Sequence, residues 1–550
     1  MRGKTRKRKA TTLPSRPEPI VPRPRSPEPI GTRKKEYALW HNSSAVAQHG
    51  PRISKLWGPL PDSDSEPVQT TLPLPGDVPN PLSVLAQASE NEYYAPLPRD
   101  LTTDEAPHIL SLIDIHEAEA LFALYHQHLH PHLPVLDLEH SSPSQVARRN
   151  NFLFNAICCV AARTFNVVLW ERLKDFARYE MERIPKVRKV DVVQGHLIYA
   201  TWNLVMSSSF EQDMTWLRIG LATRTALDIN LHRVATIVEA QDSLPGWLLR
   251  SIVRTWLMVY VVDGTLSAQL GKPASRSRED YTQYIQILLN SPLRDDTYVA
   301  ALTEWTQLLL RAIELFRTES DHLVPTLTAE FSRWRDRVEL ASPADAGLFQ
   351  LYTNYAHLVI HSYSLDRALD RGAVVAAIEF AEYQASAARL LHCEEDLAQG
   401  CPDFVFTAIT YGTVSLLKTL EPRLSKLNSV VGRDTVLALS RRASEVLGRA
   451  AVTRDHLPAS QSSFLSRLVQ IRSQPPALDV SEPAPAFDLS AFITAEPPSP
   501  VSESPTNLAT WAALQSANYS LPGAALGLSL GSFGDSSLFS QDSFWQSFVT

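Results

Sequence analysis

The middle of the chain repeats apolar residues at the spacing of an α-helix, and the strongest pattern lies between Trp216 and Pro273. In the first part of this stretch the apolar positions share one helical face: Trp216, Ile219, Ala222, Ala226 and Ile229, with Arg218, Arg224 and Asp228 on the rest of the helix. The second part is apolar on nearly every side from Ile252 to Val262, which predicts a helix buried against several neighbours. Arg254 and Asp263 bound a run too short to span a bilayer.

The same periodicity continues on both sides of this stretch, with almost no alternation typical of strands. It predicts helices over residues 116–130, 151–165 and 192–206, and later near 297–317, 323–340, 346–369, 374–397, 403–420 and 433–452. We therefore expect an all-α fold with one large helical region over residues 101–472. Residues 1–100 and 473–550 are predicted to be disordered segments that flank it.

The first segment is rich in proline and strongly basic. Residues 1–40 contain twelve Lys or Arg and three Glu, a net charge of +9. The tightest cluster is Lys4, Arg6, Lys7, Arg8 and Lys9. It predicts a nuclear-import signal that also makes phosphate contacts to DNA, and the alternative is a solvated charge run without a receptor.

The last segment has the opposite charge. Residues 473–550 contain seven acidic residues and no Lys or Arg, a net charge of −7. Aromatic residues are interspersed among the acids, including Trp511, Phe539, Phe544, Trp545 and Phe548. Acidic residues keep such side chains solvated and available, which is typical of activation segments that a partner groove captures. The alternatives are an inert tail and a tail that folds back on the helical region.

Four cysteines, Cys158, Cys159, Cys393 and Cys401, indicate a reducing compartment rather than a disulfide framework. The first two lie in an apolar helix and are expected to be buried. For Cys393 and Cys401 a redox role is the weaker alternative to a structural one.

Candidate chemistry is otherwise sparse. Four histidines alternate along one short stretch: His126, His128, His130 and His132. Two of them share a helical face, as metal ligands can, but no acidic residue or cysteine completes a motif. Partly buried structural histidines are therefore the preferred interpretation. Phosphate-binding glycine loops, nucleophile elbows and H-E-x-x-H are absent from the sequence, which favours a non-enzyme without a bound cofactor.

The ordered residues between Trp216 and Pro273 resemble the middle homology region of fungal zinc-cluster transcription factors. The matching positions are Trp216, Gly220, Ala222, Arg224, Ala226, Leu231, His232, Arg233, Arg254, Trp256, Asp263, Ser267, Gly271 and Pro273. The motif P-H-L-P-V-L-D, which begins at Pro131, resembles a further element of that family. The resemblance implies a nuclear transcription regulator with an all-α regulatory domain. It also implies transcription machinery or co-activators as partners, DNA as a further one, homo- or heterodimers, and no membrane.

The chain departs from the family pattern at three points, of which the first two do not break it. Lys272 replaces the usual Arg, and Gly264 stands where Arg is common. The family's DNA-binding unit is a binuclear zinc cluster held by six cysteines near the N-terminus, and this sequence has no such set. Either the chain acts through a partner, or the zinc cluster lies in a missing N-terminal exon. The runner-up function is an all-α scaffold or adaptor that does not bind DNA.

The charged residues of the motif allow two interpretations. Arg218, Arg224, Arg233, Arg254 and Asp263 are either solvated or paired in the core, or they line a ligand-sensing pocket.

Overall fold

The computed structural model describes residues 109–473 apart from short gaps at 186, 205–213, 235–244, 276–279, 318–322, 393–398, 422–423, 425–426, 428 and 455. Regular structure in this described part consists of fifteen α-helices with short 3₁₀ and π turns, and it contains no strand. The predicted all-α fold is confirmed. The proposed import cluster and activation tail lie outside the described residues.

The helices in chain order are α1 (Ile115–Leu124), α2 (Pro143–Arg149), α3 (Asn151–Phe165), α4 (Val167–Glu182), α5 (Val190–Thr201), α6 (Thr215–Asp228), α7 (Gly246–Leu270), α8 (Thr282–Leu289), α9 (Arg294–Arg317), α10 (Val324–Ala341), α11 (Ala346–Arg371), α12 (Ala373–His392), α13 (Asp403–Lys418), α14 (Arg433–Ala450) and α15 (Leu457–Ser473). Successive helices pack against one another: α11 lies against α12, α14 against α15 and α5 against α6. The long helix α7 packs on α5, α6 and α9.

Side chains mark several helix starts. The carboxylate of Asp114 accepts the Glu117 N–H at 2.8 Å, and the Glu117 carboxylate accepts the Asp114 N–H at 2.9 Å, which forms a capping box before α1. Before α2, Ser142 forms a second capping box with Gln145, and Pro143 occupies the first turn of the helix. These local signals fix where the helices begin, and burial of their apolar faces then stabilises them.

Three large aromatic side chains of the core have hydrogen-bonded indole groups. Trp202, Trp305 and Trp334 are fully buried, and each donates its indole N–H to a carbonyl. The acceptors are Gly400 at 3.0 Å, Tyr352 at 3.1 Å and Ala301 at 3.1 Å, respectively. A buried indole N–H without an acceptor would carry a desolvation cost. These three hydrogen bonds therefore stabilise contacts between parts of the chain that are distant in sequence.

Most predicted helix boundaries agree with the structure to within a few residues. Two predicted helices end earlier in the structure. The helix predicted over 192–206 corresponds to α5, which ends at Thr201. The first, α1, ends at Leu124 and is followed by a π turn over Tyr125–Leu129 and a 3₁₀ turn over His130–His132. Pro131 cannot donate a helical hydrogen bond, so a regular α-helix could not continue through these turns.

The predicted burial pattern of α6 needs a correction. Arg218, expected outside the apolar face, is only 3% exposed, whereas Trp216 is half-buried. The Arg218 guanidinium lies over the Tyr199 ring of α5, 5.4 Å from the ring centroid. This cation–π contact stabilises the buried charge in the interface between α5 and α6. The Lys272 ammonium lies over the half-buried Trp216 ring, 4.9 Å from the ring centroid.

Helix α7 approaches α9 most closely at Gly264. A Cβ at this position would lie 2.6 Å from Thr306 Cγ2, well inside normal contact. The arginine common here in the family pattern would have no room, so the departure noted in the sequence is a packing requirement. Within the described part of the chain, no helix is long and apolar enough to cross a membrane.

Candidate functional site

The most concentrated set of charges in the described structure surrounds Arg254 on α7. This side chain is 2% exposed. Its guanidinium lies 3.3 Å from Asp295 and 3.4 Å from Asp296, both in the first turn of α9. Carboxylates are also favoured at this position by the helix dipole. Arg250, one turn earlier on α7, is 3.4 Å from the second oxygen of Asp296, so two arginines hold the start of α9.

The segment that carries P-H-L-P-V-L-D crosses the same site, and residues 133–137 of it lie outside any helix. The Val135 carbonyl accepts hydrogen bonds from Gln194 at 2.9 Å and from Ser251 at 3.1 Å. Asp137 follows, 4.0 Å from the Arg254 guanidinium. The two motifs that carried the family resemblance, far apart in sequence, therefore meet at one buried cluster.

Burial dominates the electrostatics of this cluster. It lowers the pKa of Arg254, although Asp296, Asp295 and Asp137 oppose the shift. It also raises the pKa of Asp295, although Arg254 and Arg294 oppose it. Both charged forms thus bear a desolvation cost that only their mutual attraction offsets. Losing one partner would leave an uncompensated charge in the core.

His130 completes this side of the cluster as a neutral group. Burial, and then the Arg254 charge, lower the pKa of His130 to about 3. Its Nε2 donates to the Leu136 carbonyl at 3.2 Å, and its Nδ1 lies 3.8 Å from Asp295. The ring therefore fixes the crossing segment by hydrogen bonding rather than by charge.

A third arginine links the cluster to the later helices. Arg294, the first residue of α9, forms a bidentate pair with Asp345 and donates to the Pro131 carbonyl at 3.0 Å. Asp345 precedes α11 and also accepts the Ser342 hydroxyl at 2.6 Å. Because Arg294 contacts both the crossing segment and Asp345, a movement of that segment would disturb the residues at the start of α11.

The other end of the motif shapes the turn after α7. Gly271 ends the helix with a left-handed φ of 63°, and the Lys272 N–H bonds back to the Ser267 carbonyl at 3.0 Å. The buried Asp263 carboxylate then accepts the Ser275 N–H at 2.8 Å and its hydroxyl at 3.1 Å. Burial raises the pKa of Asp263 while these bonds oppose the shift. Gly271, the exposed Pro273 and Asp263 together fix the direction of the chain as it leaves α7.

The remaining motif residues lie in different settings. Trp256 is buried, with its ring 6.1 Å from His232 and 6.5 Å from Tyr281. The His232 carbonyl accepts the Tyr284 hydroxyl. Arg224 is exposed beside Gly220, and Arg233 is half-buried. The five charged residues of the predicted pocket therefore differ in exposure and in contacts, and Asp263 is bound to Ser275.

The histidine stretch is partly buried, with 6.4 Å between the ring centroids of His126 and His130. In the described part of the chain, no three His, Cys, Asp or Glu residues are arranged to hold a metal ion. The predicted burial of Cys158 and Cys159 is confirmed, Cys401 is buried too, and Cys393 lies outside the described residues. Burial raises the pKa of Cys158 and so keeps its thiol protonated.

Sequence reasoning missed the acidic partners of Arg254. Asp295 and Asp296 stand at the start of a helix directly after Arg294, and their only signal was this acidic first turn. Nothing in the linear order indicated which arginine they would meet.

Comparison with known proteins agrees with the motif. Residues 123–304 match the model of the family described as fungal specific transcription factor domain. This match confirms the resemblance to the middle homology region, and it spans both motifs that meet at Arg254. No curated protein and no solved structure matches the chain significantly.

Proposed function

Because residues 123–304 are a fungal specific transcription factor domain, we propose that this chain is a nuclear transcription regulator without catalysis of its own. The domain match is the observation that carries the proposal. The buried cluster supports it, because Arg254 and Asp263 are occupied by contacts that hold segments together. Such groups are suited to transmitting a conformational change rather than to activating a substrate.

In this proposal the three regions have separate roles. The basic cluster Lys4, Arg6, Lys7, Arg8 and Lys9 mediates nuclear import. The helical region regulates activity and contributes to homo- or heterodimers. The acidic tail recruits co-activators through Trp511, Phe539, Phe544, Trp545 and Phe548, so the chain acts as an activator.

DNA contact is proposed to be indirect or to come from a module outside this sequence. Four cysteines cannot supply the six thiolates of the family's zinc cluster, and Cys158, Cys159 and Cys401 are buried. Zinc is accordingly a cofactor only where such a module is attached. The same observation favours a second candidate, an all-α adaptor that never contacts a promoter.

The activation role is tested by fusing residues 473–550 to an unrelated DNA-binding domain in a reporter strain. We expect reporter expression, and we expect it to be lost when the five aromatic residues named above become alanine. That variant keeps all seven acidic residues, so it separates aromatic capture from charge. A silent wild-type fusion would exclude the activator role.

Import is tested in the full chain by changing the five basic residues of the first cluster to alanine. We expect the protein to shift to the cytoplasm. Replacement of Arg33, Lys34 and Lys35 by alanine, which removes three positive charges elsewhere in the same segment, is the control for charge loss. An unchanged nuclear signal in the first variant would show that this cluster is not the import element.

Chromatin immunoprecipitation of the tagged full chain separates the regulator from the adaptor. We expect enrichment at promoters. A protein found in the nucleus but never enriched at promoters would instead support the adaptor.

A further inference from the structure

Helix α12 is apolar on almost every side, although one of its faces is exposed. The helix packs on α11, α13 and α14, and Phe380 and Tyr383 are buried on that inner side. Only three of its twenty residues are charged: Glu379, Glu382 and Arg389. A surface helix normally presents polar residues on its outer face. The outer face of α12 therefore has the composition of a contact surface.

The exposed apolar side chains of α12 form one continuous strip. Val374 is 76% exposed, Val375 42% and Ile378 61%. Ala381 and Ala385 continue the same face further along the helix and are half-buried. Residues three and four positions apart are neighbours on a helix, so these side chains lie next to one another. Single exposed apolar residues are common in soluble proteins, whereas contiguous ones mark interaction sites.

The loop before α14 widens this strip. The Val430 N–H donates to the Gln384 side-chain oxygen at 2.9 Å, which holds the loop against α12. The Val430 side chain is nevertheless 60% exposed. We call the resulting surface the α12 strip, and its residues are Val374, Val375, Ile378, Ala381, Ala385 and Val430.

The α12 strip is complementary in shape to a second copy of itself that runs in the opposite direction. Along the helix its bulky residues come before its small ones. A two-fold axis between residues 379 and 380 places Ile378 opposite Ala381 of the second copy, and Val374 opposite Ala385. Each bulky side chain then fills the space beside a small one, as in a well-packed interface. Parallel pairing would instead set bulky residues against each other and leave gaps between the alanines.

The charges beside the α12 strip favour the same arrangement. Arg371 ends α11, is exposed, and is followed by Gly372, which leads into α12. Glu382 is exposed on the outer face of α12, 4.0 Å from Arg389. In the antiparallel pair, Glu382 of the second copy lies level with residue 377. This level is about one helical turn from the start of α12, within reach of the Arg371 side chain. Two contacts between opposite charges result, whereas parallel pairing would bring like charges together.

We propose that the α12 strip is the contact surface between two copies of this chain, with their α12 helices antiparallel. The inference rests on the homodimer of the proposed function and specifies its surface. The stretch from Val374 to Ala385 is about 18 Å long. One such helix pair covers less than the roughly 800 Å² that a stable interface buries on each partner. The dimer is therefore weak, with a dissociation constant on the order of 10 µM.

Sedimentation velocity of the full chain, at concentrations below and above about 10 µM, tests the proposal. We expect the sedimentation coefficient to rise from that of a monomer to that of a dimer. Ile378→Glu places a charge at the centre of the paired surface and should weaken the dimer about tenfold or more. Because Ile378 is exposed in the single copy, this variant should fold, and far-ultraviolet circular dichroism checks that it does. Val168→Glu, at a residue of α4 that is also 76% exposed, is the matched control and should dimerise like the wild type.

Charge reversal tests the antiparallel arrangement. Arg371→Glu and Glu382→Arg should each weaken the dimer about threefold. The double variant restores opposite charges across the contact and should recover the wild-type affinity. A double variant that dimerises no better than the single ones would overturn this arrangement.

The remaining outcomes separate this inference from the proposed function. A dimer that survives Ile378→Glu unchanged would overturn the α12 surface but leave the proposed homodimer intact. A full chain that is monomeric at every concentration would overturn both. The outer face of α12 would then be covered by a different protein or by another segment of the same chain.

Discussion

Replacing Gly264 with alanine is expected to destabilise the crossing of α7 and α9. The new Cβ would lie 2.6 Å from Thr306 Cγ2 and 3.2 Å from Leu310 Cδ1. Leu310 is half-buried and its side chain can rotate. Thr306 cannot, because it is fully buried and its hydroxyl donates to the Leu302 carbonyl at 2.8 Å, which fixes its rotamer. The two helices must therefore move apart.

The expected change in the free energy of unfolding is the sum of two opposing effects. Carbon atoms prefer separations of about 3.5–4.0 Å, so the overlap is about 1 Å. Overpacking of this kind costs about 1–3 kcal/mol. Alanine regains about 1 kcal/mol of helix propensity over glycine. Gly220→Ala is the matched control, since its Cβ would meet only the mobile end of Arg224 at 3.4 Å. Gly220→Ala keeps the gain in helix propensity without the clash. Its free energy of unfolding should therefore exceed that of Gly264→Ala by about 1–3 kcal/mol.

Urea unfolding of the full chain, followed by far-ultraviolet circular dichroism, provides the comparison. The Thr306→Ser change removes Cγ2 alone and costs about 1 kcal/mol by itself. Combined with Gly264→Ala it should relieve the clash, so the double variant is more stable than the sum of the single changes predicts. Equal midpoints for Gly264→Ala and Gly220→Ala, or strict additivity with Thr306→Ser, would refute the close-packing explanation.

Three further perturbations follow from the structure. Arg254→Met removes one of the two arginines that lie 3.4 Å from the fully buried Asp296, and it also removes a partner of Asp295, so the free energy of unfolding should fall by about 3–5 kcal/mol. A loss below about 1 kcal/mol would show that the cluster does not stabilise the fold. Gly271→Ala forces a side chain into a φ of 63° and should cost about 1–2 kcal/mol by the same urea assay, and no loss would contradict the left-handed cap. Burial lowers the pKa of Lys418 to about 8, below that of the unfolded chain, so the unfolded state binds the proton more tightly. The free energy of unfolding should therefore rise by about 1 kcal/mol per pH unit between pH 8 and pH 10. This rise is measured relative to Lys418→Met, which has no lysine to titrate at this position. Parallel pH profiles for the two proteins would exclude the pKa shift.

Local patterns predicted the helices well because each one is set by nearby residues. Helices α9, α10 and α11 begin and end within three residues of the apolar periodicity that predicted them. Periodicity failed where backbone hydrogen bonding changed, as in the π turn over Tyr125–Leu129. It also failed at Arg218, because the burial of this side chain depends on the Tyr199 ring, which lies on another helix.

The sequence by itself determined the helical class, the burial of Cys158 and Cys159, the motif from Trp216 to Pro273 and the opposite charges of the two flanking segments. Periodicity, composition and residue order are properties of the linear chain, and they suffice for these conclusions. Only the tertiary structure decided that Arg254 meets Asp137, Asp295 and Asp296, and that Gly264 is required by Thr306. Such pairings depend on which helices cross and at what distance, and the packing of the whole core sets both.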